Sequence, residues 1–311
     1  MNRKPATALI ALTILLGMSF PSPGADDNAA PTGEIKLPEN TNLPARLAEV
    51  QAKLQQGRPK KAYQLVKNWI KKNKDSEFMD QALFFKGQAL FDRKLYYQAF
   101  EAYNELLDGY SGSSLFEAAI EQQVKIALKF LAGAKRKVWR FIPASAKTEG
   151  LEILEQVVER WPGSELAARA LMMQADYYYN KGQFIEAQST YQLLVENYRK
   201  SSYYEQALIR NAEATHARYE GPLYDSVPLT DARIRYEQYQ MLYPEKAYQL
   251  GIPQRIERIN WQEAQKYYKI ADYYRRTHKD EALRFYVAYI RQRWADGEWT
   301  QRAQTLLKHQ K

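Results

Sequence analysis

"DQALFFKGQALFDRKLYYQAFEAYNELLDGY", residues 80–110, and "ARALMMQADYYYNKGQFIEAQSTYQLLVENY", residues 168–198, read as two copies of one unit. In each, a small residue is followed twelve positions later by an Ala: Gly87 with Ala99, and Ala175 with Ala187. A short turn lies between, "DRKLYY" or "NKGQFI", and a Tyr follows each Ala by four positions, Tyr103 or Tyr191. Apolar residues recur at i, i+3, i+4 and i+7 on both sides of the turn, the period of an amphipathic helix. Small residues at matched positions let two helices cross closely, and the ring fills the gap to the neighbouring pair. The unit is a helix–turn–helix repeat.

The same spacing extends outward. Val50 and Ala62 are twelve apart, as are Ile270 and Ala282. The step to the next first-helix marker is 25 from Ala62 to Gly87, Ala99 to Val124, Gly150 to Ala175 and Ala187 to Ala212. The period is therefore 12 + 25 = 37, against about 34 for an ordinary tetratricopeptide repeat. Three intervals are longer, by 14 between Val124 and Gly150, by 8 between Ala212 and Ala232, and by 13 between Ala232 and Ile270. No run alternates long enough for a sheet. The expected fold is all-α: a tetratricopeptide-like right-handed α-solenoid of about six helix pairs over residues 43–308. The repeats fall near 43–79, 80–116, 117–167, 168–204, 205–250 and 257–308. Trp161-Pro162-Gly163 and Tyr243-Pro244 are helix stops.

The longest insertion holds "KRKVWRFIPASAK", residues 135–147, with five basic residues. It falls in the turn between the two helices of the third repeat. Two readings stand side by side. Trp139, Phe141 and Ile142 dock back on the repeat. Alternatively Trp139 and Phe141 enter a membrane interface or a partner while Arg136, Lys137 and Arg140 meet anionic groups.

The ends and the composition bound the setting. Arg3 and Lys4 precede the apolar run "ALIALTILLGM" and then small residues, which reads as a signal peptide over 1–24, cleaved after Gly24 or Ala25. The alternative is an uncleaved anchor, although the run falls short of the roughly 20 residues of a spanning helix. Residues 25–42 read as a flexible polar leader. The chain has no Cys and three His far apart in sequence, so disulfides, thiol catalysis and Cys-ligated metals are excluded and a His-based zinc site is not expected. The net charge of +9 points, in an exported protein, to anionic head groups or an acidic partner rather than nucleic acid, with a generally solvated cationic surface as the plain reading.

"FFKGQALFDRKLYYQAFEAYNELLDGY", "QADYYYNKGQFIEAQSTYQLLVENYRKSSYYEQAL" and above all "KYYKIADYYRRTHKDEALRFYVAYIRQRWADGEWTQRAQTLL" resemble the BamD-like family of outer-membrane assembly factors. The resemblance spans roughly residues 45–308. It implies a non-catalytic scaffold without cofactor, periplasmic or peripheral at the outer membrane, in β-barrel protein assembly. It also implies two kinds of partner: the periplasmic domains of the barrel-assembly protein, and unfolded outer-membrane clients. The sequence departs from the family at two points. The anchoring Cys is absent, and the site of a basic residue before the last repeat holds Gln262, with Arg258 one turn earlier. An envelope repeat adaptor coordinating cell-wall synthesis or division is the alternative.

First helices of such repeats line a concave groove. Carrying the register across places there Phe84, Gln88, Phe91 and Asp92; Glu121, Lys125, Leu128 and Lys129; Met172, Asp176, Tyr179 and Asn180; Ile209, Glu213 and His216; and Tyr267, Tyr274 and Arg275. This wall of rings and polar groups suits an extended or helical peptide. For each ring the competing reading is packing between repeats. No phosphate loop, nucleophile elbow or metal spacing appears, so no enzyme is expected.

Overall fold

The computed structural model describes residues 43–138 and 142–308. They belong to one compact unit built from helix pairs laid side by side. The first helix of each pair packs on its partner, and that partner packs on the first helix of the next pair. In chain order the pairs are α1 (Ala45–Gln55) with α2 (Pro59–Lys72), α3 (Met79–Asp92) with α4 (Tyr96–Gly109), α5 (Phe116–Leu131) with α6 (Lys147–Arg160), and α7 (Glu165–Asn180) with α8 (Phe184–Asn197). The fifth is α9 (Tyr204–Ala217) with α10 (Val227–Leu242), and the sixth α12 (Ile252–Arg276) with α13 (Asp280–Arg293). A short α11 (Pro244–Gln249) precedes the sixth pair and α14 (Glu298–Lys308) closes the end. The fold is the expected tetratricopeptide-like α-solenoid, with six pairs and two added helices among the described residues.

The crossing points are where small residues were expected. Val50, Val124, Ala175 and Ala212 on first helices are fully buried, as are Ala62, Ala99, Ala187 and Ala232 on second helices. At Gly87 the approach is closest: a Cβ there would lie 2.6 Å from the Tyr103 ring. At Gly150 it would meet the Ala127 carbonyl oxygen at 3.0 Å. Both glycines are required by contact rather than by backbone angle.

The turns repeat as closely as the crossings. Two residues past the first helix, the chain turns through the left-handed region at Gly57, Lys94, Gly133, Gly182 and His278. The next amide then reaches back five residues, as Arg58 N–H to the Lys53 carbonyl (2.8 Å) and Leu95 N–H to that of Leu90 (3.0 Å). This is the Schellman closure of a helix.

That turn corrects the register of the last pair. In pairs one, two and four the first-helix marker stands seven residues before the left-handed residue; seven before His278 is Ala271, not Ile270. Ala271 and Leu283 are fully buried, whereas Ile270 and Ala282 are half-buried. The spacing of twelve survives, displaced by one. Ala282 drew the register because it is small, but here the small residue of the crossing is on the first helix alone.

Two insertions also take defined form. The third-repeat turn contains an antiparallel hairpin, β1 (Lys135–Val138) with β2 (Ile142–Ser145), Lys135 facing Ser145 and Val138 facing Ile142. No sheet was expected, because four-residue strands lie below the length at which alternation is legible. Trp139, Arg140 and Phe141 lie outside the described residues, as do the expected signal peptide and leader. Of Arg136 and Lys137 only the backbone position, in β1, is described. The insertion before the last pair becomes α11 and an N-terminal extension of α12, which runs 25 residues.

Candidate functional site

α1 touches α3, and α5 touches α7, while no two successive second helices approach to the same extent among the described residues. At these two places the first helices form the tighter side of the stack.

Which side chains reach that inner face follows from the helical turn of about 100° per residue. Counting from the crossing marker, positions −3 and +4 lie about 60° and about 40° round and stay on the shoulder of the packed stripe. Positions +1 and +5, at about 100° and about 140°, turn away from the packed stripe. Burial follows this order. At −3, Leu47, Phe84 and Met172 are buried and Ile209 packs against the core. At +4, Leu54, Phe91, Leu128, Tyr179, His216 and Arg275 are half-buried. At +5, Gln55, Asp92, Lys129, Asn180 and Arg276 are exposed.

Position +1 is polar in every pair: Gln51, Gln88, Lys125, Asp176, Glu213 and, with the corrected register, Asp272. These six rungs form a polar ladder along the inner helices, uncharged or basic in the first three pairs and acidic in the last three. Most rungs are held by neighbours. Gln88 donates to Asp92 (2.9 Å). Lys125 pairs with Glu121 (3.1 Å). Asp176 accepts from the Tyr191 hydroxyl at 2.5 Å. Glu213 is gripped by Arg210 (3.1 Å) and by Arg255 (2.6 Å). Asp272 takes Arg275 (2.9 Å) and Arg276 (3.3 Å).

The ladder is crosslinked across three pairs. Arg255, on the extended part of α12, reaches Glu213 on α9 and stands over the Tyr236 ring at 5.9 Å. Arg210 stands over the Tyr179 ring of α7, also at 5.9 Å. His216 Nε2–H donates to Gln262 Oε1 over 2.7 Å, joining α9 to α12 again. Gln262, where the resembled family carries a basic residue, thus has a structural partner.

Burial sets the charges. Asp176 is pushed above the usual carboxylate range by burial, with the Tyr191 hydroxyl and Arg210 opposing. Tyr191 is pushed far up by burial and by Asp176, and Tyr236 to about 12, chiefly by burial. The His216 imidazole is held below its ordinary value by burial first; Gln262 opposes, and Arg258 and Arg255 add to the lowering. The site presents carboxylates gripped by guanidinium groups, neutral phenols and a neutral imidazole. That is a rigid array of hydrogen-bonding groups.

Of the expected groove residues, Gln88, Lys125, Lys129, Asp176, Asn180 and Glu213 stand on or beside the ladder. Phe84 does not: it is buried edge-on to Tyr103, centroids 5.6 Å apart. Phe91 and Tyr179 close their turns, each edge-on to a ring of the following helix, Tyr96 or Phe184, at 5.3 Å. Tyr267 packs on Tyr289 at 4.7 Å, and Tyr274 stacks on Tyr286 at 5.5 Å, so both belong to the packing of α12 on α13. Counted from Ile270 they stand at −3 and +4, positions that stay on the packed shoulder as Phe84 and Phe91 do. Arg275 keeps a place there, through Asp272. Arg210, Arg255 and Asp272 were missed. Glu213 and Arg255 are too far apart along the chain to leave a local signal, but the polar residue after each marker was readable once His278 fixed the register.

No protein-family model and no curated protein matches the chain. Solved structures that align with it include the C-terminal part of a TPR repeat-containing protein from Cytophaga hutchinsonii (TM-score 0.41, 11% identity, 83% of this chain and 86% of that one). A tetratricopeptide repeat protein from Parabacteroides merdae aligns with TM-score 0.38 and 12% identity over 85% and 98%. PilW, described as a widely conserved type IV pilus biogenesis factor, aligns with TM-score 0.30 and 12% identity over 83% and 96%. Likenesses this loose say nothing of partner or role.

Proposed function

We propose that the protein is a non-catalytic periplasmic adaptor of BamD-like type, which holds a protein segment along its inner helices during outer-membrane β-barrel assembly. The observation that carries the adaptor reading is the polar ladder. Six pairs present a polar side chain at one matched position, and ion pairs and hydrogen bonds fix the last three rungs. A fixed row of donors and acceptors flanked by half-buried rings suits a peptide whose backbone groups need partners along its length. The barrel-assembly partner rests on the sequence resemblance of the last repeat.

A pull-down from envelope extract tests the pairing. Recovery of the barrel-assembly protein supports it. Recovery of peptidoglycan enzymes alone would replace it with an adaptor of cell-wall synthesis or division.

A further inference from the structure

The chain's positive charge is not spread over its surface. Residues 50–74 contain eight basic residues and no acidic one. Of the net +9, these 25 residues supply +8, leaving 9 − 8 = +1 for the other 286. Most of this charge sits on or beside α2, where Lys60, Lys61, Lys67, Lys71 and Lys72 are all exposed. No carboxylate pairs with any of them among the described residues. Lys60, Lys67 and Lys71 follow at +7 and +4, which sets them in one row about 16 Å long.

Beside the row is a cleft of about 560 Å³ lined by Lys60, Tyr63, Gln64, Lys67, Asn68 and Arg93. Its polar lining offers ammonium, guanidinium, amide and phenol groups and no carboxylate. The Arg93 guanidinium is laid over the Tyr63 ring at 4.8 Å, so the charge arriving from the next pair is held at the cleft. Ammonium and guanidinium groups set together in this way are the ones that bind phosphate oxygens.

We infer that α2 docks on an anionic phospholipid surface, with one head-group phosphate in the Arg93 cleft. Charge complementarity points to an anion array, and what the face lacks selects the lipid. The exposed large apolar side chains among the described residues begin only at Tyr97, so α2 offers none of the apolar anchors on which a protein partner would close. A row of unpaired cations without such anchors is what an anionic leaflet binds. The site is separate from the polar ladder and does not depend on what the ladder holds.

The test is flotation of the full chain with vesicles of phosphatidylglycerol or of phosphatidylcholine. The phosphatidylcholine arm measures any contribution of residues 8–18. The expected result is an excess on phosphatidylglycerol that salt removes. Lys60→Glu/Lys61→Glu/Lys67→Glu should weaken the binding about a hundredfold. Two of the new carboxylates, at positions 60 and 61, lie in the first turn of α2, where they favour the helix, and an unchanged melting curve confirms that the fold is kept. Arg199→Glu/Lys200→Glu/Arg291→Glu, the same charge change on other exposed positions, should keep most of the binding. Equal binding to both lipids would overturn the proposal, as would equal loss in the two variants. So would preference for duplex DNA over vesicles, which would assign the face to nucleic acid.

Discussion

At the scale of single residues, the turns show where the sequence carries strain. Five of the six pairs close through a left-handed residue, and two of these, Lys94 (φ 60°) and His278 (φ 54°), are not glycine. A side chain there costs about 1–2 kcal/mol in the folded state, partly offset because glycine has more freedom to lose. Lys94→Gly should therefore raise stability by roughly 0.5–1 kcal/mol, read by urea unfolding. His216 makes a second prediction. Its folded pKa lies below the ordinary value because of burial, so the unfolded chain binds the proton more readily. Stability should fall as pH drops from about 7 through about 6.5 and below, and His216→Gln should flatten that limb in melts across pH. Asp176 titrates the other way, its raised pKa favouring the folded state on acidification, so the slope isolated by the His216 variant is the measurement to compare.

At the scale of elements, the last pair joins the solenoid differently from the others. One apolar cluster runs through α7 to α10 and the start of α12, and a separate one is formed by α12, α13 and α14. Glu263 of α12 is buried, bonded to Arg233 of α10 and 4.0 Å from Arg293 of α13. Arg233 Nε is left without a partner among the described residues. Removing one member of such a pair strands the other charge, so Glu263→Ala should cost about 3–5 kcal/mol, whereas Arg233→Met/Glu263→Leu should come close to the parent. Chemical unfolding of both variants checks this.

The elements also show what the sequence makes legible. Twelve-residue spacing comes from close crossings, and close crossings demand small side chains, so three pairs align on it, and the 25-residue step places two more. The sixth was displaced because Ala282 mimics the marker, while the residue that fixes it, His278, looks like no turn former. The hairpin of β1 and β2 went unseen because its strands are too short to show a period. The polar positions at +1 and the exposed ones at +5 were readable. Those at −3 were not, because their small angular offset from the marker keeps Phe84 and Met172 against the packed side.

At the scale of the molecule, two surfaces differ in charge. The inner helices of pairs four to six carry the acidic, internally paired half of the ladder. The outer helix of pair one carries most of the net charge. Since each pair contacts only its neighbours, substitutions on the two surfaces should act independently. The central claim is that the ladder holds a protein segment. Photo-crosslinking in envelope preparations measures this directly, with a photoreactive residue placed in turn at the exposed +5 positions Lys129, Asn180 and Arg276 and at the exposed second-helix positions Glu101 and Glu237. Adducts to one protein partner from the +5 positions, and none from the second helices, are the expected result; adducts from the second helices alone would contradict the account.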